Sequence, residues 1–159
     1  KVLSNLMPTA INSDILDLSS EYKTEEFAQI FSKKINIGDV IFLYGDMGVG
    51  KTTFIRYLIN TLQKEKELKK TEVTSPTFNL LIEYQIDKIK INHYDLFRLK
   101  SSKDLKNLDL FEDRMNTITL IEWPQIIKKK PKNLIELTFK YENDYKSRSV
   151  QIKGIDLQS

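Results

Sequence analysis

The apolar positions of this chain change period several times along its length, and each change predicts an element. Val40-Ile41-Phe42-Leu43-Tyr44 is an unbroken apolar run, the pattern of a strand buried on both faces. Before it, Phe27, Ile30 and Phe31 recur at helical spacing, with Thr24 as the cap and Glu25 and Glu26 at the positive end, which predicts a helix running to about Ile35. Gly38-Asp39 turns the chain into the strand. After it, Phe54, Ile55, Leu58 and Ile59 continue a helical pattern to about Leu68, ending in a polar stretch at 63–70. The middle of the chain is rich in β patterns. Residues 78–86 and 89–97 read as an antiparallel pair joined by a tight turn at Asp87-Lys88. A short helix is expected at 102–110, with Leu105 and Leu108 inward. The apolar run 117–121, closed by Glu122, is a further buried strand, and 134–141 and 149–155 are two final strands around a polar turn at 142–147.

Helices interspersed with strands, some parallel and some paired by short turns, predict one α/β domain over residues 1–159, with residues 1–20 as a short N-terminal extension. The expected sheet is mixed and mainly parallel at its centre, flanked by helices and bordered by antiparallel edge strands.

Composition narrows the class without choosing within it. With no cysteine, disulfide partners and thiolate metal sites are excluded, which fits a cytoplasmic setting. No apolar run approaches the roughly 20 residues that span a bilayer, so no membrane partner is expected. The segment 1–8 has a basic start but too short an apolar stretch for a signal peptide. The 25 basic and 22 acidic residues, net +3, are too balanced to argue for nucleic-acid binding. The densest basic run, Lys128-Lys129-Lys130-Pro131-Lys132, reads as a solvated loop, a polyanion patch being the alternative.

The candidate chemistry begins directly after the first buried strand. Gly45-Asp46-Met47-Gly48-Val49-Gly50-Lys51-Thr52-Thr53 fits G-x-x-x-x-G-K-[ST], the phosphate-binding P-loop, and three of the five glycines fall in it. Strand, glycine-rich turn and helix stand in the order the motif needs. Gly48 and Gly50 permit conformations that a Cβ would block, so successive N–H groups can face phosphate oxygens at the positive end of the next helix. Lys51 would reach the β- and γ-phosphates, the Thr52 hydroxyl would ligate Mg²⁺, and Thr53 could contact the α-phosphate. Asp46, Met47 and Val49 complete the expected nucleotide-binding stretch. The alternative, a glycine-rich turn that binds nothing, does not account for the lysine and threonine.

A P-loop needs an acid nearby to hold Mg²⁺ or orient water. Glu122 and Asp95 both stand at strand ends, where a parallel sheet aims side chains at its ligand edge. Ser75-Pro76-Thr77-Phe78 offers two hydroxyls, Ser75 and Thr77, that suit a γ-phosphate-sensing loop; a turn entering a strand explains them equally well. His93, the only histidine, reads as a satisfied structural residue rather than a base. Trp123 reads as partly buried packing, and Arg98 as an ion-pair partner of Asp95 or a phosphate sensor.

In order and spacing, the P-loop at 45–53, Ser75-Pro76-Thr77-Phe78, His93-Tyr94-Asp95-Leu96-Phe97-Arg98 and Leu120-Ile121-Glu122-Trp123 resemble the TsaE (also called YjeE) family of small P-loop ATPases. The resemblance implies an ATP- and Mg²⁺-dependent bacterial protein needed to make threonylcarbamoyladenosine at position 37 of tRNA. Its partner would be a TsaD–TsaB complex, with ATP hydrolysis supporting repeated turnover rather than the transfer itself, and any contact with tRNA indirect or undecided. It further implies Thr52 and Glu122 as metal ligands, Lys51 on phosphates, the segment 75–78 as a first switch, Asp95 in a second switch near the attacking water, and the helix from Thr24 near the adenine. Phe97 stands where the family has Tyr, so no role for that hydroxyl carries over; Met47 for Leu conserves volume. A small-molecule P-loop kinase and a non-catalytic nucleotide-dependent binding module are the competing readings.

Overall fold

The computed structural model describes residues 10–12, 14–112 and 115–158. The strands are β1 (Ala10–Asn12), β2 (Ile15–Asp17), β3 (Val40–Tyr44), β4 (Leu81–Ile86), β5 (Ile89–Asp95), β6 (Thr117–Glu122), β7 (Leu134–Glu142) and β8 (Ser147–Lys153). Two α-helices, α1 (Glu21–Ser32) and α2 (Lys51–Glu65), and two 3₁₀ turns, Ser102–Leu105 and Pro124–Ile126, complete the elements.

The strands form one sheet in the order β1-β2-β8-β7-β3-β6-β5-β4. Its centre, β7-β3-β6-β5, is parallel throughout. The borders are antiparallel: β4 on β5 at one side, and β8, β2 and β1 at the other. The mixed α/β sheet with a parallel centre is therefore as the sequence pattern predicts. The stretch assigned to an N-terminal extension contains β1 and β2, and β2 pairs with β8 from Ile15↔Gln151 to Asp17↔Ser149.

Alternation along β3 divides the core in two. Ile41 and Leu43 face α1 and α2, in a cluster with Phe27, Phe31, Phe54, Leu58, Leu137 and Phe139. The Phe54 ring is the hub, 5.0 Å from Phe27, 5.5 Å from Phe31 and 5.8 Å from Phe139. Each fully buried Phe contributes about 1.5–3 kcal/mol, so this cluster holds both helices against the sheet. Val40 and Phe42 face the other way, into a smaller cluster with Tyr94, Leu96, Leu110 and Ile121, covered by irregular chain rather than by an α-helix.

Several boundaries differ from the sequence reading, the following for local reasons. Ser20, not Thr24, caps α1: its backbone is extended (φ −118°, ψ 153°) and its side chain accepts from the Lys23 amide, while Thr24 lies on the buried face of the helix. α2 stops at Glu65 because Glu67 enters the left-handed region, φ 57°. β4 starts at Leu81 rather than 78: the Leu80 amide closes a turn onto the Pro76 carbonyl at 2.7 Å, with Leu80 at φ 66° and Phe78 exposed. β5 ends at Asp95, where the carboxylate takes the Phe97 amide and bends the chain away, and the helix expected over 102–110 reduces to one 3₁₀ turn.

Candidate functional site

The parallel register brings the ends of three central strands together. Leu43 of β3 pairs with Glu122 of β6, and Glu122 with Asp95 of β5. At this edge the chain leaves β3 through the loop 45–50 and enters α2 at Lys51. Gly50 is the N-cap, at φ 118°, a conformation that L side chains rarely adopt. Gly45 is constrained further: at φ 143°, a Cβ there would meet the Phe139 carbonyl oxygen at 2.7 Å and the Val49 side chain at 2.9 Å. The loop thus lies tightly on β7, with Val49 as its anchor in the core.

Between loop and strand ends lies a cavity of about 230 Å³, lined by Met47, Gly48, Gly50, Lys51, Thr52, Thr53, Ser75, Thr77, Asp95, Phe97, Glu122 and Trp123. Segments far apart in sequence, each singled out for its chemistry, meet here. Two residues of the expected binding stretch do not line it through their side chains. Val49 is buried in the core, and Asp46 borders a neighbouring groove with Gly45, Phe139, Tyr141 and Tyr145.

Each charged group in the cavity already has a protein partner. Lys51 is buried; its Nζ donates to the Gly45 carbonyl at 2.5 Å and sits 3.9 Å from the centre of the Trp123 ring. Burial pushes the Lys51 ammonium below its ordinary value, and the charges of Glu122, Asp95 and Asp46 oppose that shift. Asp95 is 3% exposed; its Oδ2 accepts from Ser75 Oγ at 2.8 Å and Thr77 Oγ1 at 3.1 Å, its Oδ1 from the Phe97 amide at 2.9 Å. Asp95 therefore holds the 75–77 segment onto the strand edge. Glu122 is 2% exposed, and its Oε2 lies 2.7 Å from His93 Nε2.

The donor set suits a small hard cation and a polyphosphate. Thr52, Asp95 and Glu122 present only oxygen to the cavity. Mg²⁺ is characteristically held that way, by one or two carboxylates with the remaining ligands from phosphates and water. The loop amides and the N-terminus of α2 supply positive potential beside those oxygens.

Three features were not legible in advance. Arg98 does not pair with Asp95; its guanidinium lies over the Phe78 ring, 5.1 Å from its centre. Trp123, held at φ 55°, is a wall of the cavity under Lys51 and against Phe97, at 4.9 Å between ring centres, rather than packing alone. The hairpin of β7 and β8 reaches the loop, since a Cβ on Gly48 would lie 3.5 Å from the Tyr141 hydroxyl and one on Gly50 3.8 Å from Arg148 Nη1. Both belong to a hairpin that the sequence offers no reason to set beside residue 50.

The parallel centre, the glycine loop after its first strand and the acids on the neighbouring strand ends define an α/β protein whose P-loop sequence motif lies at the edge of the parallel strands. The family model described as "Threonylcarbamoyl adenosine biosynthesis protein TsaE" matches residues 18–150. The tRNA threonylcarbamoyladenosine biosynthesis protein TsaE of Rickettsia bellii is 41% identical over 137 residues, 86% of this chain and 92% of the relative. That of Borreliella burgdorferi is 35% identical over 145 residues, 88% of this chain and 99% of the relative. The chain belongs to the TsaE family. The crystal structure of Bacillus subtilis YdiB shares the fold, with a TM-score of 0.65 at 23% identity, covering 87% of this chain and 82% of that one.

Proposed function

We propose that this chain is a Mg²⁺-dependent ATPase accessory of tRNA threonylcarbamoyladenosine formation at position 37, acting on a TsaD–TsaB complex. The relatives carry that biosynthetic pathway in their names, which supports the process. One observation carries the chemistry: Lys51, Thr52, Asp95 and Glu122 line one cavity at the end of the parallel strands. In this reading Lys51 leaves the Gly45 carbonyl and the Trp123 ring to take the β- and γ-phosphates. The amides of residues 48–53 face the phosphate oxygens, with Asp46 and Met47 flanking the loop. Thr52 and Glu122 hold the ion, which when bound neutralises phosphate charge. Asp95 orients the attacking water, and it must loosen its hold on Ser75 and Thr77 to do so. That requirement accords with weak turnover by the chain alone. ATP is preferred to GTP because the sequence has no N/T-K-x-D segment of the kind that reads guanine.

The cytoplasm is the proposed location, in keeping with a tRNA substrate for the pathway and a chain without cysteine; no described helix is long and apolar enough to cross a membrane. The kinase alternative wants arginines over the phosphates. Of the described ones, Arg56 pairs with Glu21 and Arg98 lies on Phe78, while Arg148, the one beside the loop, lies over the Tyr141 ring. The binding-module alternative is favoured by one observation, the full engagement of Asp95 by hydroxyls and an amide.

The test is ATP turnover with and without a TsaD–TsaB complex. Turnover that rises with the complex and disappears in Lys51→Ala supports the ATPase. Unchanged turnover in Lys51→Ala removes the phosphate role. Partner affinity controlled by nucleotide, with Glu122→Ala still functional in cells, selects the binding module.

A further inference from the structure

His93 stands where the fold calls for an apolar side chain. On the helix-covered face, β5 presents Ile91, His93 and Asp95 in turn, and β6 presents Ile118, Leu120 and Glu122. Ile91, Ile118 and Leu120 belong to the main core cluster, and His93 pairs in register with Leu120. The imidazole is fully buried, and its Nδ1 has no hydrogen-bond partner. An unpaired buried polar atom is destabilising, so what offsets the polarity of this ring is the contact it does make. His93 forgoes a partner at Nδ1 and keeps a 2.7 Å contact between Nε2 and Glu122 Oε2. With Nδ1 facing no acceptor, the proton belongs on Nε2, so the ring donates to the carboxylate.

We propose that His93 is a positioning residue for the Mg²⁺ ligand Glu122: its Nε2–H fixes one carboxylate oxygen and leaves the other directed to the cavity that Glu122 lines. The inference rests on the ATP- and Mg²⁺-binding reading above and adds a residue to it. Groups that hydrogen-bond a metal ligand from behind fix its orientation, and their loss characteristically lowers metal affinity ~10–100-fold. The donor acts through Glu122, so it leaves phosphate binding by the loop untouched.

The experiment titrates Mg²⁺ into the full chain with bound ADP, reading nucleotide affinity by calorimetry, and measures magnesium-free ADP affinity and melting temperature alongside. His93→Met fills the volume without a donor. It is expected to raise the half-saturating Mg²⁺ concentration ~10–100-fold. Magnesium-free ADP affinity should stay within about twofold, while the melting temperature should fall, because the buried Glu122 carboxylate loses its donor even as the unpaired Nδ1 is removed. His93→Gln, whose side-chain amide reaches as far as Nε2, should recover most of the Mg²⁺ response; His93→Asn, one methylene shorter, should not. A Met variant that is less stable but responds to Mg²⁺ like the wild type overturns the proposal in favour of packing. Equal loss in the Gln and Met variants also overturns it. Failure of wild-type ADP binding to respond to Mg²⁺ overturns the underlying reading, and this one with it.

Discussion

Lys51 in its resting place has a calculable effect on nucleotide affinity. The ammonium lies 3.9 Å from the centre of the Trp123 ring and donates to the Gly45 carbonyl. To reach a phosphate it must leave both, so each resting contact weakens binding by its own strength. An ammonium over an indole face is worth about 0.5–2 kcal/mol, rising with desolvation, and Lys51 is only 4% exposed. Trp123→Leu removes the ring while keeping an apolar side chain against Phe97, and it leaves the Gly45 contact in place. ATP should then bind about 2- to 30-fold more tightly, the same 0.5–2 kcal/mol expressed as an equilibrium ratio. The assay is calorimetric titration of ATP into wild type, Trp123→Leu, Lys51→Met and the double variant. The gain should vanish in the Lys51→Met background, since the ring then has no ammonium to hold. Unchanged or weaker binding in Trp123→Leu refutes the reasoning, as does an equal gain with and without Lys51.

The remaining predictions address the loop, the 75–77 segment and acid stability. Gly45→Ala sets a Cβ against the Phe139 carbonyl and the Val49 side chain at a φ that alanine rarely adopts, and should destabilise by about 1–3 kcal/mol, read as a lower denaturation midpoint. Asp95→Ala removes the acceptor of two hydroxyls, so the Leu80 amide, which closes the turn onto the Pro76 carbonyl, should exchange hydrogen faster than in wild type while those of β3 remain protected. Burial alone would raise the Asp17 and Glu136 carboxyls; hydrogen bonds from Lys23 and Ser19 to Asp17, and from Tyr44 and Lys130 to Glu136, instead hold both below their ordinary values. A depressed carboxyl stabilises fully above its unfolded value and loses that contribution as pH falls through the folded one. Denaturation midpoints should therefore drop below about pH 4, and the drop should be shallower in Asp17→Asn and Glu136→Gln.

What the sequence reveals is chemistry carried by short segments. β3 was readable because five consecutive apolar residues bounded by Gly38-Asp39 and Gly45 admit little else. The loop was readable because its glycines and lysine have no common structural use at that spacing. Element ends were less so. Ser20 and Thr24 offer the same hydroxyl to a cap, and only the burial of Thr24 against the core decides between them. Phe78 has strand chemistry, yet the turn from Pro76 to Leu80 leaves it 82% exposed. Pairings across the fold were the least legible. His93 and Glu122 are 29 residues apart and meet only because β5 and β6 are parallel neighbours in that register. Had β5 been set one residue off, His93 would have faced the opposite side of the sheet.

The order of the strands also assigns different positions to the two acids, which the sequence leaves equivalent. Both end parallel strands and both are almost wholly buried. Glu122 ends β6, the immediate neighbour of β3, so it stands one strand from the loop that follows Tyr44. Asp95 ends β5, one strand further out, where the 75–77 segment crosses the edge and supplies its hydroxyls. Under the proposed ATPase reading, the nearer acid, Glu122, would hold the ion that offsets phosphate charge at the loop. The farther one would face the γ-phosphate side, where the 75–77 segment supplies its hydroxyls. Strand spacing of about 4.8 Å separates the two strand ends, so the two acids would serve different groups. Exchanging the acids in Asp95→Glu/Glu122→Asp would move the carboxylates by a methylene each in opposite directions. The double variant should lose turnover while still binding nucleotide, measured by single-turnover hydrolysis beside calorimetry. Wild-type turnover in that variant would show that the two positions are interchangeable and would refute the assignment.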